Sequence, residues 1–147
     1  MTKEFCGDKK VTRPSCGASH PIRRVVGYYE GWGSRRKCLT FQPSDITPGI
    51  YTHLNFAFAG IDPNTFRIVP AQQEDIALYT ELTDMKKRDP NLKVFIAIGG
   101  WAFNEPWAPT YRTFSDLVGS EVNQRAFFAS LISFMTTYNF DGVDIDW

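Results

Sequence analysis

Three aspartates, Asp141, Asp144 and Asp146, lie close together at the end of the chain, within the sequence Asp-Gly-Val-Asp-Ile-Asp-Trp. Alternate side chains of a strand face the same way. Asp144 and Asp146 should therefore share one face, about 7 Å apart along the strand, with Val143 and Ile145 facing a helix layer. Two carboxylates on one face of a buried strand are costly unless they are paired, protonated or functional. The pattern predicts acid–base catalysis or metal binding, and a set of satisfied structural hydrogen bonds is the alternative.

The element that carries these aspartates is the last of four apolar runs of the kind that forms strands. The runs occupy residues 25–29, 50–59, 92–98 and 140–147. Strands buried on both faces and separated by amphipathic helices are typical of a parallel α/β sheet. We expect the element order β, β, α, β, α, β. An open doubly wound sheet and a barrel both remain compatible with this pattern.

A helical period appears first in residues 72–88. Leu78, Leu82 and Met85 recur there at positions i, i+4 and i+7, which predicts an amphipathic helix with these side chains on its buried face. Pro90 should end it, because proline cannot continue a helix.

A longer helix is predicted for residues 120–138, after an aromatic loop over residues 103–111. Ser120 is the expected N-cap, and an acidic residue follows it at the positive end of the helix dipole. One face of this helix is apolar and consists of Phe127, Phe128, Leu131, Ile132, Met135 and Tyr138.

Composition excludes several classes of partner. Lys plus Arg and Asp plus Glu number 16 each, so no net field attracts nucleic acid or an anionic membrane. No apolar run approaches the roughly 20 residues that cross a bilayer, and the N-terminus has no apolar signal-peptide core. The chain has only two histidines and no CxxC spacing, so we expect neither a metal nor a cofactor. The aromatic content of 15% fits a filled core better than a ligand groove.

The three cysteines, Cys6, Cys16 and Cys38, leave two alternatives open. One disulfide with a leftover thiol would suit a secreted protein, and three reduced thiols are equally compatible with the spacing. The pairing is not predicted.

With its spacing, the acidic motif resembles the fourth-strand signature of the chitinase-type glycoside hydrolases of family 18, which reads DGxDxDWE. Residues 26–32, 53–58 and 95–101 resemble the family's first, second and third strands, in the right order. The third-strand pattern is SxGG, and its serine is Ala97 here. The resemblance implies a TIM (β/α)8 barrel, of which residues 22–147 would form the N-terminal half, with about four β/α units. Residues 1–21 resemble the tail of a hevein-like chitin-binding module, as in fungal chitinases.

Through this resemblance, roles follow for individual residues. Asp146 would orient the substrate's acetamido group, Asp144 would share a proton with it, and Asp141 would be a hydrogen-bonding member of the catalytic motif. Tyr28 would support the acidic cluster. The expected sugar-binding residues are Trp32, Phe56, Gly99, Gly100 and Trp101.

The same resemblance implies hydrolysis of β-1,4-linked N-acetylglucosamine polymers, assisted by the substrate's acetamido oxygen. The chain stops at Trp147, before the glutamate of the signature, so we expect a fragment that is inactive alone and self-associates through open barrel edges. The alternatives are a lectin-like protein that binds chitin without cleaving it and an inactive truncated product. The complete protein would be extracellular or located in the cell wall.

Overall fold

The computed structural model describes residues 23–147, and the structural statements below concern that part of the chain. The expected chitin-binding remnant in residues 1–21 lies outside it, as do Cys6 and Cys16. Cys38 is disulfide-bonded. This contradicts the alternative of three reduced thiols and agrees with the expectation of a disulfide.

Five strands form one sheet. They are β1 (Val26–Glu30), β2 (His53–Ile61), β3 (Ile68–Pro70), β4 (Lys93–Gly99) and β5 (Gly142–Asp146). Four of them run parallel in the spatial order β1-β2-β4-β5, while β3 pairs antiparallel with β2. The predicted parallel α/β sheet is thus confirmed, and β1 and β5 are its edges.

Four α-helices and three 3-10 turns connect the strands. The helices are α1 (Asp75–Asp84), α2 (Trp101–Asn104), α3 (Thr113–Val118) and α4 (Glu121–Tyr138), and the 3-10 turns are Gly31–Arg35, Pro43–Asp45 and Met85–Lys87. No helix in this described part is long and apolar enough to span a membrane.

Helices α1 and α4 cover one face of the sheet and enclose the core. The predicted stripe of Leu78, Leu82 and Met85 is buried there. Tyr79, fully buried, lies at the centre, with its ring centroid 4.6 Å from that of Phe56 on β2 and 5.5 Å from that of Phe134 on α4. Contacts of this kind between large rings dominate core energetics, so they fix the helix layer against the sheet.

Helix α4 begins and ends where the sequence predicts. The Ser120 hydroxyl accepts a hydrogen bond from the Asn123 amide, the N-cap arrangement, and Asn139 ends the helix in a left-handed conformation. Its apolar face is only half covered, however. Phe127 and Leu131 are buried, but Phe128 and Ile132 are 55% and 66% exposed, because the described neighbours pack on one flank of that face only.

Three short elements were not predicted. Strand β3 has only three residues and ends in Pro70, so it gives no alternating pattern. It follows β2 through a turn in which the Asp62 carboxylate accepts hydrogen bonds from the Asn64 and Thr65 amides. Helices α2 and α3 lie around the predicted aromatic loop and are each shorter than seven residues.

Candidate active site

Strand β5 presents its two aspartates on the face of the sheet away from the helices. Asp144 lies opposite Ala97 of β4, and Asp146 lies opposite Gly99. Val143, which directly precedes Asp144, packs against the core on the opposite face of the sheet. The two-residue period therefore places both carboxylates together at the carboxyl end of the parallel strands. Residues 144 and 146 of this face are here called the acid face.

Tyr28 links the two edges of the sheet. Its hydroxyl donates a hydrogen bond of 2.7 Å to the Asp144 carboxylate, although β1 and β5 are separated by two strands. In a flat sheet, three strand spacings of about 4.8 Å would put β1 and β5 about 14 Å apart. A direct bond between their side chains therefore requires the sheet to curve towards the acid face, as the wall of a barrel does.

This bond has an electrostatic consequence for Tyr28. The hydrogen bond to the Asp144 carboxylate raises the pKa of Tyr28 above its ordinary value of 10.0, and burial acts in the same direction. Asn55, a buried residue opposite Tyr28 on β2, acts against this shift as a further hydrogen-bond partner of the hydroxyl. Asn55 was missed from sequence, although a polar residue between Leu54 and Phe56 signals the inward-facing side of that strand.

Gly99 and Gly100 allow β4 to approach the backbone of Asp146. The Gly100 amide donates to the Asp146 carbonyl oxygen at 2.9 Å. Both glycines have positive φ, +107° and +87°, and a Cβ on Gly99 would lie 2.3 Å from that same oxygen. The Asn104 side chain donates to the Asp146 and Gly100 carbonyls at 3.2 and 2.9 Å. These contacts fix the end of β5, and nothing in the sequence pattern singled out Asn104.

Two tryptophans line a cavity together with Asp146. The cavity has a volume of about 460 Å³ and is lined by Gly100, Trp101, Asn104, Glu105, Asp146 and Trp147. Trp101 is 84% exposed, while Trp147 stacks on the Phe114 ring at a centroid distance of 5.5 Å. The cavity thus combines a carboxylate with flat apolar surface, which is what a polar ligand with an apolar face requires.

Another cavity, of about 600 Å³, is lined by Gly99, Trp32 and Phe58 among others. The rings of Trp32 and Phe58 are stacked at a centroid distance of 6.1 Å and an angle of 22°. The expectation that Phe56 lines the groove is wrong: Phe56 is 0% exposed and packs into the helix-covered core. Phe58 takes its place, because the register of β2 shifts between residues 57 and 59 and regular alternation fails there.

Asp141 lies at the other end of β5 from the acid face. Its carboxylate accepts the Val94 amide at 2.9 Å and the Lys86 ammonium group at 3.0 Å. Burial favours the neutral acid, but these two hydrogen bonds and the positive charges of Lys86 and Lys93 together outweigh it and hold the pKa of Asp141 below its ordinary value of 3.8. This placement fits the predicted hydrogen-bonding role and separates Asp141 from the reacting end of the motif.

Within residues 23–147 no group of three or more His, Cys, Asp or Glu side chains is arranged to hold a metal ion. The acid face also has no cationic partner among these residues, since none of the ion pairs formed within residues 23–147 involves Asp144 or Asp146. The arrangement can therefore offer negative charge and hydrogen bonds to a ligand in the groove.

Comparison with known proteins agrees with this geometry. Residues 24–147 match the protein family described as glycosyl hydrolases family 18. Mouse chitotriosidase-1 is 37% identical over 125 residues, which are 84% of this chain and 25% of the mouse protein.

Two solved structures superpose on the same region. Catalytic domain 2 of the Ostrinia furnacalis Group II chitinase, solved as a mutant in complex with (NAG)5, has a TM-score of 0.76 and 30% identity, over 84% of this chain and 32% of that one. Human YKL-39, described as a pseudo-chitinase with retained chitooligosaccharide binding properties, has a TM-score of 0.72 and 28% identity, with the same two coverages. The chain thus spans about a quarter to a third of the length of these relatives.

Proposed function

The chain belongs to glycosyl hydrolases family 18, and on this premise we propose that the whole protein is an endo-acting chitinase, which cleaves internal bonds of β-1,4-linked N-acetylglucosamine polymers. The observation that carries the proposal is the hydrogen bond from Tyr28 to Asp144. It brings the first-strand tyrosine to the acidic motif, next to Asp146 and the indole-lined cavity. A sugar ring fits such a cavity with its apolar face on an indole and its polar groups towards the carboxylates.

In the proposed mechanism the substrate's own acetamido oxygen attacks the anomeric carbon, which separates this family from glycosidases that use two protein carboxylates. Asp146 orients the acetamido group and stabilises the positive charge that develops on it. Asp144 shares a proton with Asp146 and is held in place by Tyr28. Protonation of the leaving oxygen requires a carboxylic acid. The family signature places that glutamate directly after the tryptophan matched by Trp147.

The same reasoning gives the architecture of the whole protein. We propose that the four parallel strands are the first half of a closed (β/α)8 barrel. Support comes from the curvature that the Tyr28–Asp144 bond requires and from apolar surface left open beside the edge strand β5. At the β5 edge, Phe128 and Ile145 are 55% and 47% exposed, beside an open groove of about 310 Å³. Further β/α units would cover this surface, and an isolated half would self-associate through it.

An extracellular or cell-wall location is part of the proposal. Its support is the disulfide at Cys38, because disulfides persist in oxidising compartments and are rare in the cytosol. The chitin-binding tail in residues 1–21 and the fungal type stay predictions.

A second candidate is a protein that binds chito-oligosaccharides without cleaving them. It is favoured by Ala97, which lies directly opposite Asp144, is fully buried and stands where the family pattern has a serine. The missing hydroxyl removes one potential hydrogen bond to the acidic cluster. The description of human YKL-39 as a pseudo-chitinase shows that the fold serves both purposes.

The test uses the whole purified protein and separates the two candidates. Hydrolysis of a fluorogenic chitobioside and calorimetric binding of chitopentaose are measured for the wild type, Asp146→Asn and Asp116→Asn. Asp116 is a matched control, since it is an exposed carboxylate on α3 whose ion-pair partner among residues 23–147 is Arg112. We expect Asp146→Asn to lower kcat about 10²–10³-fold and Asp116→Asn to change nothing. Binding without hydrolysis would select the second candidate, and absence of both would refute the two together.

A further inference from the structure

An ion pair with a buried carboxylate connects the loop after β1 to helix α1. Arg35 Nη1 lies 2.6 Å from Asp75 Oδ1, and the Asp75 side chain is 3% exposed. Asp75 begins α1, so its charge also lies at the positive end of that helix dipole. Breaking a buried pair leaves an uncompensated charge and is strongly destabilising. Arg35 is therefore a tight restraint on the end of its own loop, and the proposed reaction gives it no role.

This restraint acts on the turn that carries Trp32. Arg35 is the last residue of the 3-10 turn Gly31–Arg35, and within it Ser34 Oγ donates to the Gly31 carbonyl at 2.9 Å. Gly31 is buried against the body of the protein: a Cβ there would lie 2.8 Å from the Phe56 ring and 3.1 Å from Asp75 Oδ1. The turn is thus pressed against β2 at its start and bound to α1 at its end.

Trp32 lies between these two anchors and projects its ring over Phe58. The indole is 45% exposed, and one face stacks on the phenyl ring while the rest borders the 600 Å³ cavity. Arg35 and Asp75 border the same cavity. An exposed indole loses its value as a binding platform if its backbone is free to move, since ordering it on binding then costs free energy.

We propose that Arg35 and Asp75 are positioning residues of the sugar site: their ion pair fixes the 31–35 turn so that Trp32 is already stacked on Phe58 before a chito-oligosaccharide arrives. This inference rests on the proposed function for its ligand. The geometry that it assigns to the turn does not depend on that ligand.

The test is a double-mutant cycle on chitopentaose binding by the whole protein. Arg35→Met removes the charge and keeps most of the length of the side chain, and Trp32→Ala removes the platform. We expect each single variant to weaken binding about tenfold, as truncation of a buried anchor does. In the Trp32→Ala background, Arg35→Met should cost less than about twofold more. If Arg35→Met acted only through a general structural defect, its loss of affinity would instead multiply with the loss caused by Trp32→Ala.

Arg36→Met is the matched control. Arg36 is the next residue, carries the same charge and pairs with Glu30 in an exposed contact outside this cavity. It should leave binding unchanged. If Arg35→Met does not fold, Asp75→Asn replaces it: it removes the charge of the pair while the amide oxygen can still accept a hydrogen bond from Arg35, so binding should weaken by a smaller factor, and unchanged binding would overturn the proposal.

Amide hydrogen exchange keeps the result decisive. We expect faster exchange in residues 31–35 of Arg35→Met and unchanged exchange in β4. Wild-type affinity in Arg35→Met, or losses that multiply in the double variant, would overturn the positioning role. If the wild type binds no chito-oligosaccharide, the proposed function fails. In that case the amide exchange rates of residues 31–35 decide the inference alone, and rates in Arg35→Met equal to those of the wild type overturn it.

Discussion

Substitution of Gly99 by alanine tests the close approach that places Asp146. Gly99 has a φ of +107°, and an added Cβ would lie 2.3 Å from the Asp146 carbonyl oxygen and 2.9 Å from the Phe114 ring. Neither obstacle is a flexible side-chain end. The carbonyl belongs to the last residue of β5, and the Phe114 ring is buried and stacked under Trp147. The Gly99→Ala variant therefore has to move β5 or deform β4.

The expected cost has two parts. A non-glycine residue in a left-handed conformation costs about 1–2 kcal/mol, and forcing an extra methyl group into a packed site costs typically about 1–3 kcal/mol. Together they predict a loss of about 2–5 kcal/mol. Thermal unfolding of the whole protein, followed by circular dichroism, should show this loss as a lower Tm for Gly99→Ala than for the wild type.

Two other glycines separate the contributions. Gly49 also has a positive φ, +79°, but an added Cβ meets nothing within 4 Å. Gly49→Ala should therefore show the backbone cost alone, about 1–2 kcal/mol. Gly33 has an ordinary φ and its nearest obstacle is 4.0 Å away, so Gly33→Ala should be close to neutral. If Gly99→Ala were no more destabilising than Gly49→Ala, the reasoning that β4 and β5 meet at this point would be refuted.

Two carboxylates at opposite ends of β5 give pH-dependent predictions. In the folded protein Tyr28 should titrate above 10.0 because it donates to Asp144, so stabilisation from this bond is fully present below the unfolded tyrosine pKa and is lost as pH rises through the folded value. An NMR titration of Asp144→Asn should move the pKa of Tyr28 back towards 10.0; an unmoved value would contradict the bond. Asp141→Ala removes the acceptor for Val94 and Lys86 and should cost about 1–3 kcal/mol at pH 7. Because the folded pKa of Asp141 is depressed, urea unfolding should show this difference above the unfolded value of 3.8 and its loss as pH falls through the folded value; a constant difference would contradict it.

The sequence predicts the layers of the fold because each layer has its own period. The stripe of Leu78, Leu82 and Met85 and the Ser120 cap are local signals, and the structure places them as expected. The apolar face of α4 shows where such signals end. The helical period says that Phe128 and Ile132 lie on an apolar face, but which part of that face a neighbour covers depends on tertiary packing that no local pattern contains.

For the site, alternation along β5 is sufficient to place Asp144 and Asp146 on one face, but it cannot show that Tyr28 meets Asp144. That contact depends on the curvature accumulated over four strands. The family resemblance suggested Phe56 as the groove aromatic, whereas alternation from the inward-facing Asn55 puts Phe56 and Phe58 together on the core face. A register shift between residues 57 and 59, which no sequence pattern reveals, brings Phe58 to the groove instead. The contacts of Arg35 and Asn104 lie in loops and short helices, where residue spacing carries no face information.

The three aspartates of one short motif are in two electrostatic environments, and this difference supports the proposed mechanism. Asp141 accepts a hydrogen bond from a backbone amide and is paired with a lysine. Asp144 and Asp146 receive no cation from the described residues, and Asp144 has only a tyrosine hydroxyl to stabilise its charge. Such a face attracts a positive charge that develops beside it, as on an acetamido group that attacks its own sugar ring. The acid face is therefore suited to the charge of a transition state more than to that of a neutral substrate.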